Sequence, residues 1–317
     1  MIRKLTFFAL ISLTFIALLL PSCKKFEGSQ TVPAYIRIDT VSVNCDYFIY
    51  GANTHKFIDA WVFVDDYDLG CFELPATFPV LKEGVHKIKV YPGIARDGIR
   101  DLRTPYPFMK PWENTKVNLV RDSIVTLNPV FTYYPAGVDE NMHIRWKEGF
   151  EDGTITLQAS TDSDASILRV NGPLAWHDQD GIYSTYSAKL VLTSDTSQFY
   201  ITNTEAFADL PPLAENSGWA GSCMLEMDYK CSDTCMVGLH YYKDYRNTKE
   251  AIVRLRPTGT SGEEPERWNK IYINIGPYLI DNEGASWFKI YFASWPTRND
   301  GNQYFYFDNL KLIYRDR

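Results

Sequence analysis

The chain has 317 residues, of which 45% are hydrophobic and 15% aromatic, and it carries a formal net charge of −7. An acidic chain lacks the basic footprint that nucleic-acid binding requires, so this class of function is excluded. The hydrophobic content is sufficient for packed cores, which argues against a mainly disordered chain. The length is more typical of two medium-sized domains than of one.

Residues 1–22 have the order of a secretory signal peptide. A basic start at Arg3 and Lys4 precedes a mostly apolar run from Leu5 to Leu20, and Leu20-Pro21-Ser22-Cys23 closes it. The alternative is an uncleaved transmembrane helix, but the apolar run is shorter than the ~20 residues that a spanning helix usually needs. We therefore predict that Cys23 becomes the lipidated first residue of the mature protein.

The Leu-Pro-Ser-Cys motif resembles the lipoboxes of Bacteroidota lipoproteins. The resemblance implies an outer-membrane anchor through Cys23, followed by a polar tether over residues 23–33. In that phylum, export to the cell surface usually needs several acidic residues after the cysteine. Lys24-Lys25-Phe26-Glu27 contains one, so the choice between a periplasmic and a surface-facing protein stays open.

From residue 34 onward, short segments rich in β-branched and aromatic residues alternate with Gly, Pro, Asn and Asp. This pattern is typical of strands, and no amphipathic helix of a dozen residues interrupts it. The sequence predicts an all-β protein. A small N-terminal β-sandwich is expected over 34–136, a linker over 137–145, and a larger jelly-roll β-sandwich over 146–317.

The segment 59–90 resembles a PEGA-type domain. The matching motifs are Val62-Phe63-Val64-Asp65-Asp66, Leu69-Gly70, Leu74-Pro75-Ala76 and Glu83-Gly84-Val85-His86. The resemblance implies a small sandwich on a cell-envelope protein and no chemistry.

A basic and aromatic segment follows between Pro92 and Trp112. Its arginines and rings are Arg96, Arg100, Arg103, Tyr106, Phe108 and Trp112. Arginine and aromatic residues are enriched at interface hot spots, so the segment is a candidate partner-binding loop. The alternative is a proline-stiffened loop that packs on its own domain.

The two ends of the C-terminal domain resemble those of galactose-binding-like and carbohydrate-binding jelly rolls. The motifs are Gly149-Phe150-Glu151-Asp152-Gly153 and Phe307-Asp308-Asn309-Leu310-Lys311-Leu312. The resemblance implies neighbouring first and last strands, with Glu151 and Asp308 as side-chain ligands of a structural Ca²⁺. Alternatively, Asp308 caps a strand turn and Glu151 is solvated. Calcium is the only cofactor that the sequence suggests.

Five cysteines remain after Cys23. Between Cys223 and Cys231 alternate residues are apolar, the segment 232–234 has turn residues, and the apolar alternation resumes at Cys235. This pattern predicts a hairpin with Cys231 and Cys235 within disulfide reach. Two reduced thiols, or a metal pair, are the alternatives.

The sequence contains no catalytic motif that stands out, and its five histidines are scattered. Trp176-His177-Asp178 is interpreted as loop polarity, since adjacent residues of a strand point to opposite faces. Sugar binding needs exposed rings beside polar groups. The candidate rings lie in expected loops: Trp176, Tyr183, Tyr186, Trp219, Tyr245 and Trp268.

These patterns favour a lipid-anchored envelope protein that binds rather than catalyses. The first hypothesis is assembly with protein partners at the outer membrane through the Pro92–Trp112 segment. The alternative is glycan capture by the C-terminal jelly roll, and a glycoside-active enzyme is the least favoured. The expected partners are the membrane, through the lipid, and an envelope protein or a glycan.

Overall fold

A computed structural model describes residues 32–137, 141–176, 184–196, 198–210, 223–295 and 301–315. The predicted signal peptide, Cys23 and most of the tether lie outside these ranges, as do Tyr183, Trp219 and His177. Within them, no helix is both long enough and apolar enough to span a membrane.

The N-terminal part consists of three sheets around one core. Its strands are β1 (Ala34–Ile38), β2 (Ser42–Val43), β3 (Asp59–Val64), β4 (Tyr67–Glu73), β5 (Ala76–Val80), β6 (Gly84–Ala95), β7 (Arg103–Pro105), β8 (Met109–Lys110), β9 (Trp112–Leu119), β10 (Ile124–Leu127) and β11 (Val130–Tyr133), with a short helix α1 (Tyr47–Tyr50). The sheet orders are β10-β1-β5, β2-β11-β8 and β4-β3-β6-β7, and β9 also pairs with β6. Inward-facing residues such as Ile36, Val62 and Val90 form the core between them.

The C-terminal part is a two-sheet sandwich. Its strands are β12 (Met142–Glu148), β13 (Leu157–Ala159), β14 (Leu168–Asn171), β15 (Tyr186–Leu192), β16 (Phe199–Asn203), β17 (Cys223–Cys231), β18 (Cys235–Lys243), β19 (Arg246–Leu255), β20 (Asn269–Asn274), β21 (Trp287–Ser294) and β22 (Gln303–Arg315), with helix α2 (Gly276–Asp281) after β20. One sheet has the order β14-β15-β22-β17-β20, with β12 also on β22, and the other has the order β13-β16-β21-β18-β19. The all-β prediction and the sandwich architecture are confirmed.

The first and last strands of this sandwich are neighbours. β12 pairs antiparallel with the second half of β22, from Met142 opposite Arg315 to Glu148 opposite Leu310. The predicted linker over 137–145 is therefore too long, because its last four residues already belong to β12. Hydrogen bonding to β22, which is 13 residues long, extends the strand toward the N-terminal domain.

The predicted hairpin between Cys231 and Cys235 is wrong. Both strands form and their cysteines face the core, as the alternation indicates. However, β17 pairs with β20 and β22, whereas β18 pairs with β19 and β21. The segment 232–234 therefore crosses from one sheet to the other. Both cysteines are free thiols, so the disulfide is also corrected: the Sγ of Cys231 donates to Arg256 O and that of Cys235 to Met236 O.

The two domains share a packed interface. Met224, Tyr272 and Ile313 lie on the outward face of the β17–β22 sheet, and they belong to the N-terminal hydrophobic cluster. A bridge between Arg96 and Tyr272 also joins the end of β6 to β20. One sheet of the jelly roll is thus covered by the N-terminal domain over much of its outer surface.

Candidate functional site

The outward surface of the other sheet is unusually aromatic. Sheet surfaces that face solvent are normally polar, with apolar residues alternating toward the core. In β21, Phe288, Ile290 and Phe292 point into the core. Trp287 and Tyr291 lie at alternate positions, on the opposite side of the strand. β21 therefore has aromatic rings on both faces, although only one face points to the core, and Lys289 separates the two outward rings.

Neighbouring strands extend this surface. β18 contributes His240 and Tyr242, and β16 contributes Tyr200. The rings of Tyr200 and Tyr291 stack with centroids 5.2 Å apart. The edge of His240 meets Trp287 at 5.2 Å, and Tyr242 lies nearly parallel to Trp287 at 6.4 Å. Together with Trp295, which follows β21, these residues are called the aromatic face below.

Gly238 makes room for the centre of the aromatic face. It lies opposite Tyr291 in the pairing of β18 with β21. A Cβ atom at position 238 would lie 2.7 Å from a ring carbon of Tyr291 and 2.1 Å from the carbonyl oxygen of Glu250. A residue without a side chain therefore allows the Tyr291 ring to lie across β18.

Exposure differs along the aromatic face. Tyr200 and Tyr291 are only 7% and 5% exposed, because they stack on each other and because the Lys249 ammonium lies 3.6 Å from the Tyr200 centroid. Trp287 is half-buried, whereas Trp295 is 55% exposed. The tyrosine pair thus forms a floor between rings that a ligand can reach.

Two polar atoms of the aromatic face are buried without a hydrogen-bond partner in the described part of the chain: the Tyr200 hydroxyl and His240 Nδ1. An unpaired buried polar group destabilises a fold by ~1–3 kcal/mol, so it needs an explanation such as a ligand or a bound water. Burial, with Lys249 and Lys289 nearby, lowers the pKa of His240. Burial also raises the pKa of Tyr200. Near neutral pH both groups are uncharged and suited to hydrogen bonding with a neutral ligand.

A shallow pocket of about 270 Å³ borders the aromatic face beside Trp295. Met236, Ala293 and Arg254 line it. The small Ala293 leaves space between Tyr291 and Trp295, which lie four residues apart, or ~14 Å along an extended strand. The surface therefore has the length for a ligand with several repeated units.

The glycan-contact residues predicted from the sequence do not converge on one site. Trp176, Tyr186 and Trp268 lie on the β17–β22 side of the sandwich: the backbone N–H of Trp176 donates to Ser187, Arg169 covers the Tyr186 ring, and Trp268 meets Tyr306 edge-on. Tyr245 lies at the turn after β18, where it is 94% exposed near the end of the aromatic face. Tyr183 and Trp219 lie outside the described residues.

The aromatic face was not predicted from the sequence. Its rings lie mainly within strands, whereas the predicted glycan contacts lie in expected loops. The available signal was the almost unbroken apolar run from Trp287 to Ala293, interrupted only by Lys289. Such a run is apolar on both sides of a strand. In a sandwich with one inward face per sheet, it indicates either a covered outer surface or a binding surface.

The predicted partner-binding loop packs within the protein itself. Arg103 forms ion pairs with Asp59 and Glu73, at 2.7 and 2.8 Å, and Arg100 also pairs with Glu73. Arg96 lies 3.6 Å from Asp97, Trp112 is half-buried in β9, and Tyr106 and Phe108 are buried. The partner-binding loop stays a prediction, with its arginines beside the chain's own carboxylates and two of its rings buried.

Tyr106 anchors the loop to a buried charge on the jelly roll. Its hydroxyl donates to the carboxylate of Glu226, which is 1% exposed, and Tyr133 donates to the same carboxylate at 3.1 Å. Lys270 and Lys311 lie 3.4 and 3.6 Å away. Burial alone would raise the pKa of Glu226, but the two ammonium groups and two hydroxyls outweigh it and lower that pKa. The cluster joins the domains and is fully paired.

The two residues of the predicted calcium site already bind protein donors. Glu151 accepts from the N–H groups of Thr185 and Tyr186, both at 2.7 Å. Asp308 accepts from the hydroxyl of Ser187 and the N–H of Asn309, both at 2.6 Å. Within the described ranges, no three His, Cys, Asp or Glu residues come together as metal ligands. A calcium ion here stays a prediction from resemblance.

Comparisons with known proteins give structural neighbours only. No family model and no curated protein matches the chain. One neighbour is a structure described as showing the promiscuous specificity of carbohydrate-binding modules of the β-sandwich superfamily. It shares 15% identity over 80% of this chain and 84% of that one, with a TM-score of 0.33. Another is the family 30 carbohydrate-binding module of a Clostridium thermocellum cellulosomal cellulase, with 14% identity over 56% and 95% and a TM-score of 0.31.

A third neighbour is the enzymatically active domain of a bacteriophage CBA120 tailspike protein. The two proteins share 14% identity over 61% of this chain and 26% of the tailspike chain, and the TM-score is 0.37. The β-sandwich assignment is carried by the strands and pairings of the protein itself. The resemblance of residues 59–90 to a PEGA-type domain stays a prediction.

Proposed function

We propose that the chain is a glycan-binding protein that captures sugar chains on the aromatic face and does not turn them over. The observation that carries the proposal is that β21 has aromatic rings on both faces, with Trp287 and Tyr291 directed away from the core. Contiguous aromatic surface of this kind marks interaction sites on soluble domains. The apolar faces of sugar rings stack on aromatic rings, while a few polar groups fix the ligand's orientation.

The polar groups of the aromatic face match a sugar. The Tyr200 hydroxyl and His240 Nδ1 lack partners in the described chain but are buried, so sugar hydroxyls reach them only when the Lys249 side chain, which covers the Tyr200 ring, moves aside. Arg254 and Lys249 lie at the margin. Protein assembly through the Pro92–Trp112 segment has less support, because most of its arginines and rings contact the chain's own side chains.

A glycan array with the full-length protein in detergent tests the proposal. Any glycan that binds is then titrated against Trp287→Ala and Tyr242→Ala. We expect each variant to bind at least about tenfold more weakly, as truncation of a central aromatic contact usually costs ~2 kcal/mol. Tyr67→Ala is the matched control, since Tyr67 is an exposed ring of the N-terminal domain. Unchanged affinity in both face variants would exclude this surface.

The proposed location is the outer membrane, through a lipid on Cys23. The support is the order of residues 1–23, which matches a lipoprotein signal peptide. Cells fed an alkyne fatty acid should label the native protein, and Cys23→Ala should remain unlabelled.

Binding without turnover is tested separately, by analysing a bound glycan for shortened products after prolonged incubation. Product release would identify an enzyme.

A further inference from the structure

A second cavity lies between the two domains, away from the tyrosine floor of the aromatic face. It has a volume of about 850 Å³. Its walls are the segment 95–100 after β6, the segment 252–258 that includes the end of β19, and residues 269–272 of β20. Ligand sites are typically clefts of ~300–1,000 Å³, and they occur preferentially at domain interfaces. We call this cavity the interdomain cleft.

The interdomain cleft contains cations that the protein does not neutralise. Lys56, Arg254 and Arg256 line it, and none of them has a carboxylate within 4.0 Å among the described residues. Two other cations in the same cleft are paired: Lys270 with Glu226, and Arg100 with Glu73. Five cations and two carboxylates, those of Glu73 and Asp97, line the cleft, although the chain as a whole has a net charge of −7.

These cations are positioned on opposite walls. Arg256 follows the end of β19 on one wall, whereas the guanidinium of Arg254 donates to Thr234 Oγ1 at 3.4 Å, beside the aromatic face. Lys56 is fixed on the other wall, because its N–H donates to the Tyr272 hydroxyl at 3.0 Å and its ammonium donates to Asn269 Oδ1. An anion between the walls would meet positive charge from both domains.

Neutral donors accompany the cations. The Tyr229 hydroxyl accepts from Asn269 Nδ2 at 2.8 Å, which leaves its own hydrogen for a ligand. Tyr278 also lines the cleft and is half-buried. Aliphatic side chains, Ile99 and Ile252, lie between these polar groups. The lining therefore combines charge, hydroxyl donors and apolar surface.

The cleft is held in shape by backbone contacts between the domains. Asp97 N donates to Tyr272 O at 2.8 Å, and Asn274 N donates to the Asp97 carboxylate at 2.7 Å. Together with the bridge between Arg96 and Tyr272, they hold the segment after β6 against β20. A preformed cavity requires little ordering when a ligand binds.

We propose that the interdomain cleft binds an acidic oligosaccharide, a sugar chain that carries carboxylate or sulfate groups. Arg256 and Lys56 bind the anionic group, because arginine matches such groups with two parallel hydrogen bonds and lysine adds a point charge. Tyr229 and Tyr278 contact hydroxyls, and the aliphatic side chains contact the ring C–H faces. The site is separate from the aromatic face, although Arg254 borders both.

Calorimetric titration of the full-length protein in detergent tests this proposal. The probes are an oligogalacturonate, a sulfated galactan oligosaccharide, a neutral cello-oligosaccharide of the same length, and inorganic sulfate. We expect one or both acidic oligosaccharides to bind, and Arg256→Gln and Lys56→Gln to weaken that binding at least about tenfold each, since hydrogen bonds to charged groups contribute ~1.5–3 kcal/mol. Which acidic probe binds identifies the anionic group.

Matched controls separate this site from the aromatic face. Arg121→Gln and Lys116→Gln remove exposed cations of the N-terminal domain and should leave acidic-glycan affinity unchanged. Trp287→Ala should reduce binding of a glycan held by the aromatic face without affecting the acidic oligosaccharide. The proposal is overturned if Arg256→Gln and Lys56→Gln bind the acidic probes like the native protein, or if inorganic sulfate binds as tightly as either oligosaccharide.

Discussion

Asp228 on β17 and Asp308 on β22 lie directly opposite one another, and both side chains are buried. Asp228 has a cation nearby, since Lys270 lies 3.9 Å away, and Asn309 Nδ2 donates to it at 2.9 Å. Asp308 has only neutral donors, the Ser187 hydroxyl and the Asn309 N–H. Burial raises the pKa of both, and it raises the pKa of Asp308 well above the ordinary 3.8. Asp308 is therefore the member of the pair whose pKa burial raises more strongly.

This arrangement predicts that the contribution of Asp308 to stability decreases as the pH rises. A carboxyl group whose pKa is higher in the folded than in the unfolded state binds more protons when folded. Its stabilising effect is complete below pH 3.8 and is lost as the pH rises through the folded pKa of Asp308. Asp308→Asn removes this titration, so the unfolding free energy of the variant relative to that of the native protein should increase as the pH rises from 3.8 through the folded pKa of Asp308.

Chemical denaturation across this pH range measures the effect. Asp101→Asn serves as the control, because Asp101 is an exposed aspartate on the surface of the N-terminal domain. Its pH profile should match that of the native protein. An Asp308→Asn profile parallel to the native one would show that Asp308 is ionised throughout and would contradict the assignment.

The acidic residues on the outward side of β17 show what the sequence could and could not predict. Alternation placed Glu226 and Asp228 on the outward side of β17, and the structure confirms that side. The sequence did not indicate that this outward side is covered, because the cover comes from Tyr106 and Tyr133, about a hundred residues earlier in the chain. Local periodicity sets the face of a residue, whereas burial of that face depends on domain docking.

The sheet to which a strand belongs also depends on residues that are distant in the sequence. The segments 223–231 and 235–241 were correctly predicted as strands, since a period of two is a local property. Whether two consecutive strands pair depends on their other neighbours, and here β20 and β22 flank one while β19 and β21 flank the other. The aromatic face was missed for a related reason: the run from Trp287 to Ala293 does not say which side points inward.

The Tyr106–Glu226 hydrogen bond should stabilise the contact between the domains. Tyr106→Phe removes a donor to a buried carboxylate without changing the ring, and we expect a loss of ~1.5–3 kcal/mol in unfolding free energy. Because the hydrophobic cluster is continuous from Phe108 to Tyr272, the native protein should unfold in one transition. Tyr67→Phe, at an exposed ring, should have no effect in the same denaturation experiment. Two resolved transitions in the native protein, or an equal effect of the control, would contradict this coupling.

Gly238 should be essential for the aromatic face. Gly238→Ala places a methyl group against the Glu250 carbonyl and the Tyr291 ring, so β18 or the ring must move. We expect destabilisation of ~1–3 kcal/mol, the range for overpacking, together with a shift in the near-ultraviolet circular dichroism of the stacked tyrosines. Gly284→Ala is a control of the same type of substitution, because nothing lies within 4 Å of a Cβ there, although its positive φ adds a local strain of its own. An unchanged near-ultraviolet spectrum in Gly238→Ala would show that the ring does not lie across β18.

The free thiols predict a specific labelling pattern. Burial raises the pKa of Cys223 and Cys231 to about 12 in each case, and it raises that of Cys235 well above its ordinary value. These three thiols should resist a thiol reagent in the folded protein at neutral pH, whereas the half-buried Cys45 and Cys71 should react slowly. In concentrated guanidinium chloride without reductant, a Cys23→Ala variant should show all five free thiols. Adding a reductant should not change that number; a count of three that rises to five on reduction would establish one disulfide and contradict the five free thiols.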